Sequence, residues 1–404
     1  MSGAGRYLTI LRAKHVTPLL LASMLARLPY GMYALAVVLY LAHHYDSYAV
    51  AGLVDGTFGI GAAIGVPVQS RLIDRFGQRR VLLPLAVVDC ACTALLIVLT
   101  EAHAPVVALA VVGLLGGFAV PNIGSALRAL WPDLLARRDE LLTTAFALDS
   151  VAIEVLFTVG PLLSAAIIAV ISPIAALALS AVCALSGTLL FVAQPPSRDW
   201  RPDAVAPAHG WLGALASPGV RTLMLATLPA GFCFGVVEIS MPAFAGEHGA
   251  PEWAGVLLSS WAGASAVGGL AYGARAWKRP VSVVYLWLAA LLPLGFLPAL
   301  LAPSVAAMAV LIVPAGLLIA PLGAAGNHLV GELAPAGAVT EAYAWPVTAL
   351  IAGFAGGTAL GGTLVEAWSW HACFIAAALA GVLGAAFAYA RRATLIPESR
   401  AVVV

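Results

Sequence analysis

Twelve long apolar runs leave this chain little choice of solvent. A helix needs roughly 20 apolar residues to cover about 30 Å of hydrocarbon. Such stretches lie at 17–42, 48–70, 81–100, 105–128, 141–169, 173–193, 219–244, 252–274, 281–301, 304–329, 341–365 and 369–390. They are continuous instead of alternating, which excludes a transmembrane barrel. With 62% of 404 residues hydrophobic and a mean hydropathy of +0.99, no water-soluble core could hide this much apolar surface. The expected fold class is all-α and integral to the membrane. The first run follows the basic leader "RYLTILRAKH", outlasts a signal-peptide core and has no A-x-A-like site after it, so it reads as a retained span.

Charge is scarce but ordered. Charged residues make up 10% of the chain and the net charge is +1. If both termini are cytoplasmic, every Lys and Arg except Arg27 falls on an inner segment, Arg128, Arg137 and Arg400 included. The outer loops "HHYDS", "EAHA" and "GEHGAPE" hold none. That asymmetry is the positive-inside pattern, and it predicts a multi-pass protein of the cell (plasma or inner) membrane with both ends inside. The densest basic segment is "SRLIDRFGQRR", residues 70–80, with four arginines and one acid between spans 2 and 3.

Several chemistries drop out. The five cysteines all fall inside spans and read as small core residues; Cys90 and Cys92, about 200° apart on a helix, cannot share a ligand face. His43 and His44 read as solvated loop residues. Neither lysine, Lys14 or Lys278, follows a phosphate-binding glycine loop, and no catalytic triad or zinc spacing occurs. No enzyme activity, cofactor, metal or nucleic-acid partner is expected.

The polar break "QPPSRDWRPDAVAPAHG" at 194–210 divides the spans six and six, and its Pro and charge content suits a linker on the inner surface. The expected organisation is a bundle over 1–193, a cytoplasmic linker over 194–218, and a second bundle with a short tail over 219–404. The halves match weakly in order. "AGLVDGTFGIGAAIG" from Ala51 pairs with "AGVLLSSWAGASAVG" from Ala254 at an offset of 203, as do Pro132 and Pro335. At an offset of 197, "TAFA" from Thr144 meets "EAYA" from Glu341, and Gly160 meets Gly357. Such parallel repeats, with a site between them near mid-membrane, are a transporter architecture.

With these residues in view the chain resembles the major facilitator superfamily over essentially its whole length. That family's loop between helices 2 and 3 reads roughly G-x-L-x-D-R-x-G-R-R; here it runs Ser70, Leu72, Asp74, Arg75, Gly77, Arg79, Arg80. Ser70 replaces the family glycine and Gln78 displaces the first arginine. The second copy, "GARAWKRP", keeps Gly273, Lys278 and Arg279 but has Trp277 where the acid would be. The resemblance implies two six-helix bundles related by a pseudo-two-fold axis, and Asp74 tying helix 2 to helix 11 when the cytoplasmic side is closed. The arginines mark the inner face and offer contacts to anionic lipid head groups. Topology charges alone would account for the arginines but not for Asp74 and Gly77 in register.

Ionisable groups inside spans are costly and therefore functional candidates. They are Arg27, Asp55, Asp89, Asp149 and Glu154 in the first half and Glu238 in the second, with Asn327 and His328 near an inner helix end. Asp149 and Glu154 are five residues apart, some 140° around span 5, so both cannot face Arg27 equally. One is expected to pair with Arg27; the other, unpaired and poorly solvated, could carry a proton near neutral pH. Glu154, the deeper, is the expected carrier, and a static pair that only fixes packing is the alternative. Asn122, after Pro121 in span 4, could bond substrate or a neighbouring carbonyl. Gly160-Pro161 partially matches the family's antiporter motif and could equally be a plain kink. "GFAGGTALGG" at 353–362 should let span 11 pack closely on a neighbour. Asp55 and Glu238 are expected near outer helix ends, and Asp89 to pair with Arg128.

The expected function is a secondary transporter, acting as a monomer in membrane lipid and expelling a small amphipathic or drug-like substrate in exchange for protons. Two alternatives stand: proton symport of a polar metabolite or sugar, and a non-transporting sensor or assembly protein on the same scaffold.

Overall fold

The computed structural model describes residues 3–136, 138–201, 210–250 and 253–396. Arg137, Arg400 and residues 202–209 of the linker lie outside them. In lipid a single segment can satisfy its backbone only by closing hydrogen bonds within itself. Accordingly, the described residues form helices and connectors, with no strand among them. Twelve helices are long and apolar enough to cross a membrane: α1 (Val16–Tyr45), α2 (Val50–Phe76), α3 (Gln78–Glu101), α4 (Val106–Leu134), α5 (Glu140–Val170), α6 (Pro173–Ala193), α7 (Pro218–Glu247), α8 (Ala254–Ala274), α9 (Val281–Leu301), α10 (Val305–Leu333), α11 (Val339–Ala367) and α12 (Trp370–Ala390). A short helix, Gly3–Arg12, precedes them.

Two spans that the sequence reads as continuous are interrupted. In α1, Pro29 restarts the helix after Arg27, because its nitrogen has no hydrogen to donate. In α4, Pro121 separates Val106–Ala119 from Ile123–Leu134. Asn122 caps the second piece, its Oδ1 accepting from Ser125 N at 3.3 Å. An arginine lies beside each break, Arg27 just before the one in α1 and Arg128 in the piece after the one in α4. At the end of α2, Gly77 adopts φ +91°, a left-handed turn that suits glycine.

The helices form two six-helix bundles, α1–α6 and α7–α12. Within the second, Gly353 and Gly357 of α11 lie against Leu228 and Phe232 of α7 with no room for a side chain. The bundles meet along two seams, α2 against α11 and α5 against α8 and α10. The hydrophobic core is single on one face and split on the other. On the face carrying the 70–80 connector, the basic face, Ile73, Leu141 and Phe146 of the first bundle pack in one cluster with Tyr272, Leu329 and Tyr343 of the second. Towards the opposite face each bundle has its own core, around Tyr40 and Leu109 in one and Phe244 and Phe374 in the other. The molecule is therefore closed on the basic face and parted on the other.

Candidate functional site

The charged heart of the first bundle is built from three helices. Arg27 ends the first piece of α1; its Nε donates to Ser23 O and its Nη1 stands 2.9 Å from Asp149 Oδ1. That contact lies outside hydrogen-bonding geometry and is a charge pair. Arg128, in the second piece of α4, donates from Nε to Asp149 Oδ2 at 2.8 Å. Asp149 is fully buried, so removing it would strand two cations in a region where charge is expensive.

Glu154 leaves α5 on another side. Its Oε1 accepts from Ser265 Oγ of α8 at 2.7 Å, and that oxygen accepts in turn from Ala320 N of α10 at 3.2 Å. Among the described residues no ion pair reaches Glu154. The carboxyl lies on the wall of a cavity of about 190 Å³ between the bundles. Arg128, Ser150, Thr227, Tyr285 and Asn327 supply its other polar groups, and the remaining wall is apolar, including Phe234, Leu322 and Leu350.

At the basic face the end of α2 meets the start of α11. Asp74 accepts from two backbone N–H groups at the α11 N-terminus, Thr340 N at 3.0 Å and Glu341 N at 2.7 Å. A carboxylate on a helix N-terminus combines charge-assisted hydrogen bonds with the favourable end of the dipole. Glu341 is itself buried and accepts from Arg71 at 2.6 and 3.2 Å and from Trp345 Nε1 at 3.2 Å. Gly213 of the linker, at φ +51°, lies directly over the Glu341 carboxylate. Arg75 stacks over Phe76, and Arg79 and Arg80 are exposed beyond Gly77.

The remaining expected residues are scattered. Asn122 donates to Ser70 Oγ at 2.8 Å and to Val66 O, so its side chain joins α4 to α2 and does not line the cavity. Pro161 sits inside an unbroken helix, while Gly160 lets α5 approach α1 at Gly31. Asp55 is half-buried and Glu238 exposed, and neither has an ion-pair partner among the described residues. The expected pair of Asp89 with Arg128 is corrected: Arg128 turns to Asp149, and Asp89 stays buried without it. His43 and His44 belong to the last turn of α1, where His44 meets Glu101 at 3.0 Å. Three contributors escaped the sequence reading. Arg128 was assigned to Asp89 instead of Asp149, Ser265 carried no signal, and Glu341 figured only as the first residue of the repeat "EAYA".

A twelve-helix protein closed on one face, with a cavity between two bundles, has the form of an alternating-access carrier. The sequence matches the Major Facilitator Superfamily over residues 19–292, and the chain belongs to that family. It is a multi-pass secondary transporter that binds small-molecule substrates. Comparison with curated proteins finds no match. Among solved structures it is similar to the human organic anion transporter MFSD10 (TETRAN), at 17% identity over 92% of this chain and 98% of that one, with a TM-score of 0.73. A bacterial homologue of the iron transporter ferroportin in its outward-facing state gives 14% identity, 93% and 99% coverage and a TM-score of 0.75. The proton:xylose symporter XylE bound to 6-bromo-6-deoxy-D-glucose gives 16%, 93% and 95%, and 0.67. At these identities the likeness speaks to the fold.

Proposed function

We propose that this transporter expels small amphipathic molecules in exchange for protons, with Glu154 as the proton carrier. The supporting observation is the division of labour between two acids on α5. Asp149 is held by two arginines and has no freedom to titrate without stranding them. Glu154 has a single hydroxyl partner and faces the cavity. A cavity wall this apolar suits an amphipathic substrate better than a sugar, which needs many convergent polar contacts. The moving bodies are 1–193 and 219–404, joined by the linker 194–218, and the carrier works as a monomer. On the positive-inside rule the basic face is cytoplasmic, which makes the conformation described here outward-open.

A second reading concerns substrate charge. Two arginines share one Asp149, and Arg128 lines the cavity, so an amphipathic anion would balance the surplus cation. Proteoliposomes with an imposed pH gradient decide the matter. Glu154→Gln, fixed in its protonated likeness, should exchange substrate but not concentrate it, whereas Asp149→Asn should express poorly after losing about 3–5 kcal/mol. Full ΔpH-driven transport by Glu154→Gln would remove Glu154 from the mechanism, and accumulation down the proton gradient would mean symport. Orientation is checked separately. A single cysteine at His248 should react with an impermeant thiol reagent in intact cells, and one at Lys278 only after permeabilisation.

A further inference from the structure

The two departures from the family loop have structural consequences, and one of them builds a second cavity. Gln78 is fully buried; its Nε2 donates to Ala126 O of α4 at 3.0 Å, and its Oε1 accepts from Ser197 Oγ at 2.7 Å. Ser197 lies in the short turn that follows α6, so Gln78 pins the start of the linker against the connector between α2 and α3. The result is a cavity of about 540 Å³ at the membrane end of α3. Arg79 and Arg80 line it from the connector, and Arg198 and Arg201 from the linker. The one acid on its wall, Asp199, is doubly hydrogen-bonded by Arg198 at 2.9 Å. Arg198 holds that carboxyl below the usual carboxylate range, with Arg201 and Arg79 adding to the effect. Four guanidiniums thus face one satisfied carboxylate, leaving three positive charges without a counter-ion on the wall. The rest is apolar and interfacial: Phe76, Leu83, Pro84 and Trp200.

We infer that this cavity is a binding site for the phosphate head group of an anionic phospholipid, with the acyl chains running along α3. Guanidinium forks match phosphate oxygens. Basic pockets beside spans at the cytoplasmic surface are suited to such head groups. The apolar wall explains why a lipid fits better than a free phosphate. A lipid held here would bridge the 70–80 connector, which carries Asp74, to the linker, which carries Gly213.

The test uses the full-length purified transporter, delipidated and returned to phosphatidylglycerol or phosphatidylcholine, with bound lipid counted by native mass spectrometry. Phosphatidylglycerol should be retained over phosphatidylcholine. The variant R79Q/R80Q/R198Q/R201Q should lose that preference, by roughly fivefold for each arginine replaced. A control of equal charge, K278Q/R279Q/R391Q/R392Q, should keep it. Should the quadruple variant fail to fold, R198Q/R201Q alone changes only exposed side chains and should lose about half the effect on a logarithmic scale. Equal loss in the control would reduce the site to a diffusely basic face, and full retention in the variants would place the lipid elsewhere. Thermal stabilisation of lipid-free protein by inorganic phosphate, with none added by phosphatidylglycerol, would make it a soluble-anion site and overturn the lipid assignment.

Discussion

The connector at 70–80 and its duplicate at 273–280 close the same face by different physics. By the offset of 203, Asp74 corresponds to Trp277 and Ser70 to Gly273; by the offset of 197, Glu341 corresponds to Thr144. At the α2/α11 seam a carboxylate sits on a helix N-terminus, and an ion pair of buried Glu341 with exposed Arg71 stands beside it. At the α5/α8 seam the contacts between the two helices at the face, among the described residues, are neutral or use a backbone carbonyl. Thr144 Oγ1 donates to Gly273 O at 2.7 Å. The leading helix Gly3–Arg12 adds more, from Tyr7 OH to Leu270 O at 3.0 Å and Gly269 O at 3.4 Å and from Arg6 Nη1 to Arg275 O at 3.0 Å. Trp277 turns aside, donating to Tyr272 O beneath the Arg275 guanidinium. The neutral seam carries its acid deeper, as Glu154 on Ser265. The two seams thus differ in where their charge lies: at the face, as Asp74 and Glu341, in one, and at the cavity, as Glu154, in the other.

The largest expected effect follows from removing the fixed charge. Asp74→Asn keeps one acceptor but loses both charge-assisted bonds, about 3 kcal/mol, or roughly a hundredfold in the ratio of closed to open basic face. Spin-echo distances between nitroxides at Arg80 and Ala336 should lengthen and turnover should fall, while expression stays normal. An unchanged distance distribution would reduce the loop to a topology signal and erase the contrast between the seams.

Much of the fold was legible because lipid imposes it: each span declares itself by apolar length, and the arginines sort the connectors. The angular separation of Asp149 and Glu154 was legible too, since it follows from helical pitch alone. What hydropathy could not show were the breaks in α1 and α4, because Pro29 and Pro121 barely disturb an apolar average. Arg128 was misread for the same reason. A charge behind a hidden break resembles one at a helix end, and only the folded chain turns it onto Asp149. The pairing of Glu341 was not legible because its partner Arg71 is 270 residues away. Nor could the sequence show that Ser70 and Gln78, departures from a family pattern, are the residues bonding Asn122 and Ser197.

A smaller effect is expected from the neutral seam. Thr144→Val conserves shape and removes one buried neutral hydrogen bond, about 1 kcal/mol, or roughly fivefold. Nitroxides at Glu140 and Lys278 should report a modest rise in the open population, with ΔpH coupling intact because Glu154 is untouched. A change as large as that of Asp74→Asn would show that both seams bear equally on closure, and the charged one would lose its special place.

The smallest effect should come from the leading helix, and it tests whether the neutral seam is indifferent to pH. Tyr7 is half-buried, and burial pushes its phenol up to about 12. Because the folded value is raised, the hydroxyl's contribution as a donor is fully present below the ordinary tyrosine value and is lost only as pH climbs through about 12. Across pH 5–9 its bond to Leu270 O should therefore be constant. Tyr7→Phe should shift the Glu140–Lys278 distance distribution by less than about 1 kcal/mol, since the site is partly solvated, and by the same amount at pH 5 and pH 9. Any pH dependence of the α5/α8 distance should survive in Tyr7→Phe and vanish in Glu154→Gln, because only the second variant removes the titrating group. If it vanished in Tyr7→Phe instead, the proton would act through the leading helix, and the assignment of the titratable seam to Glu154 would fail.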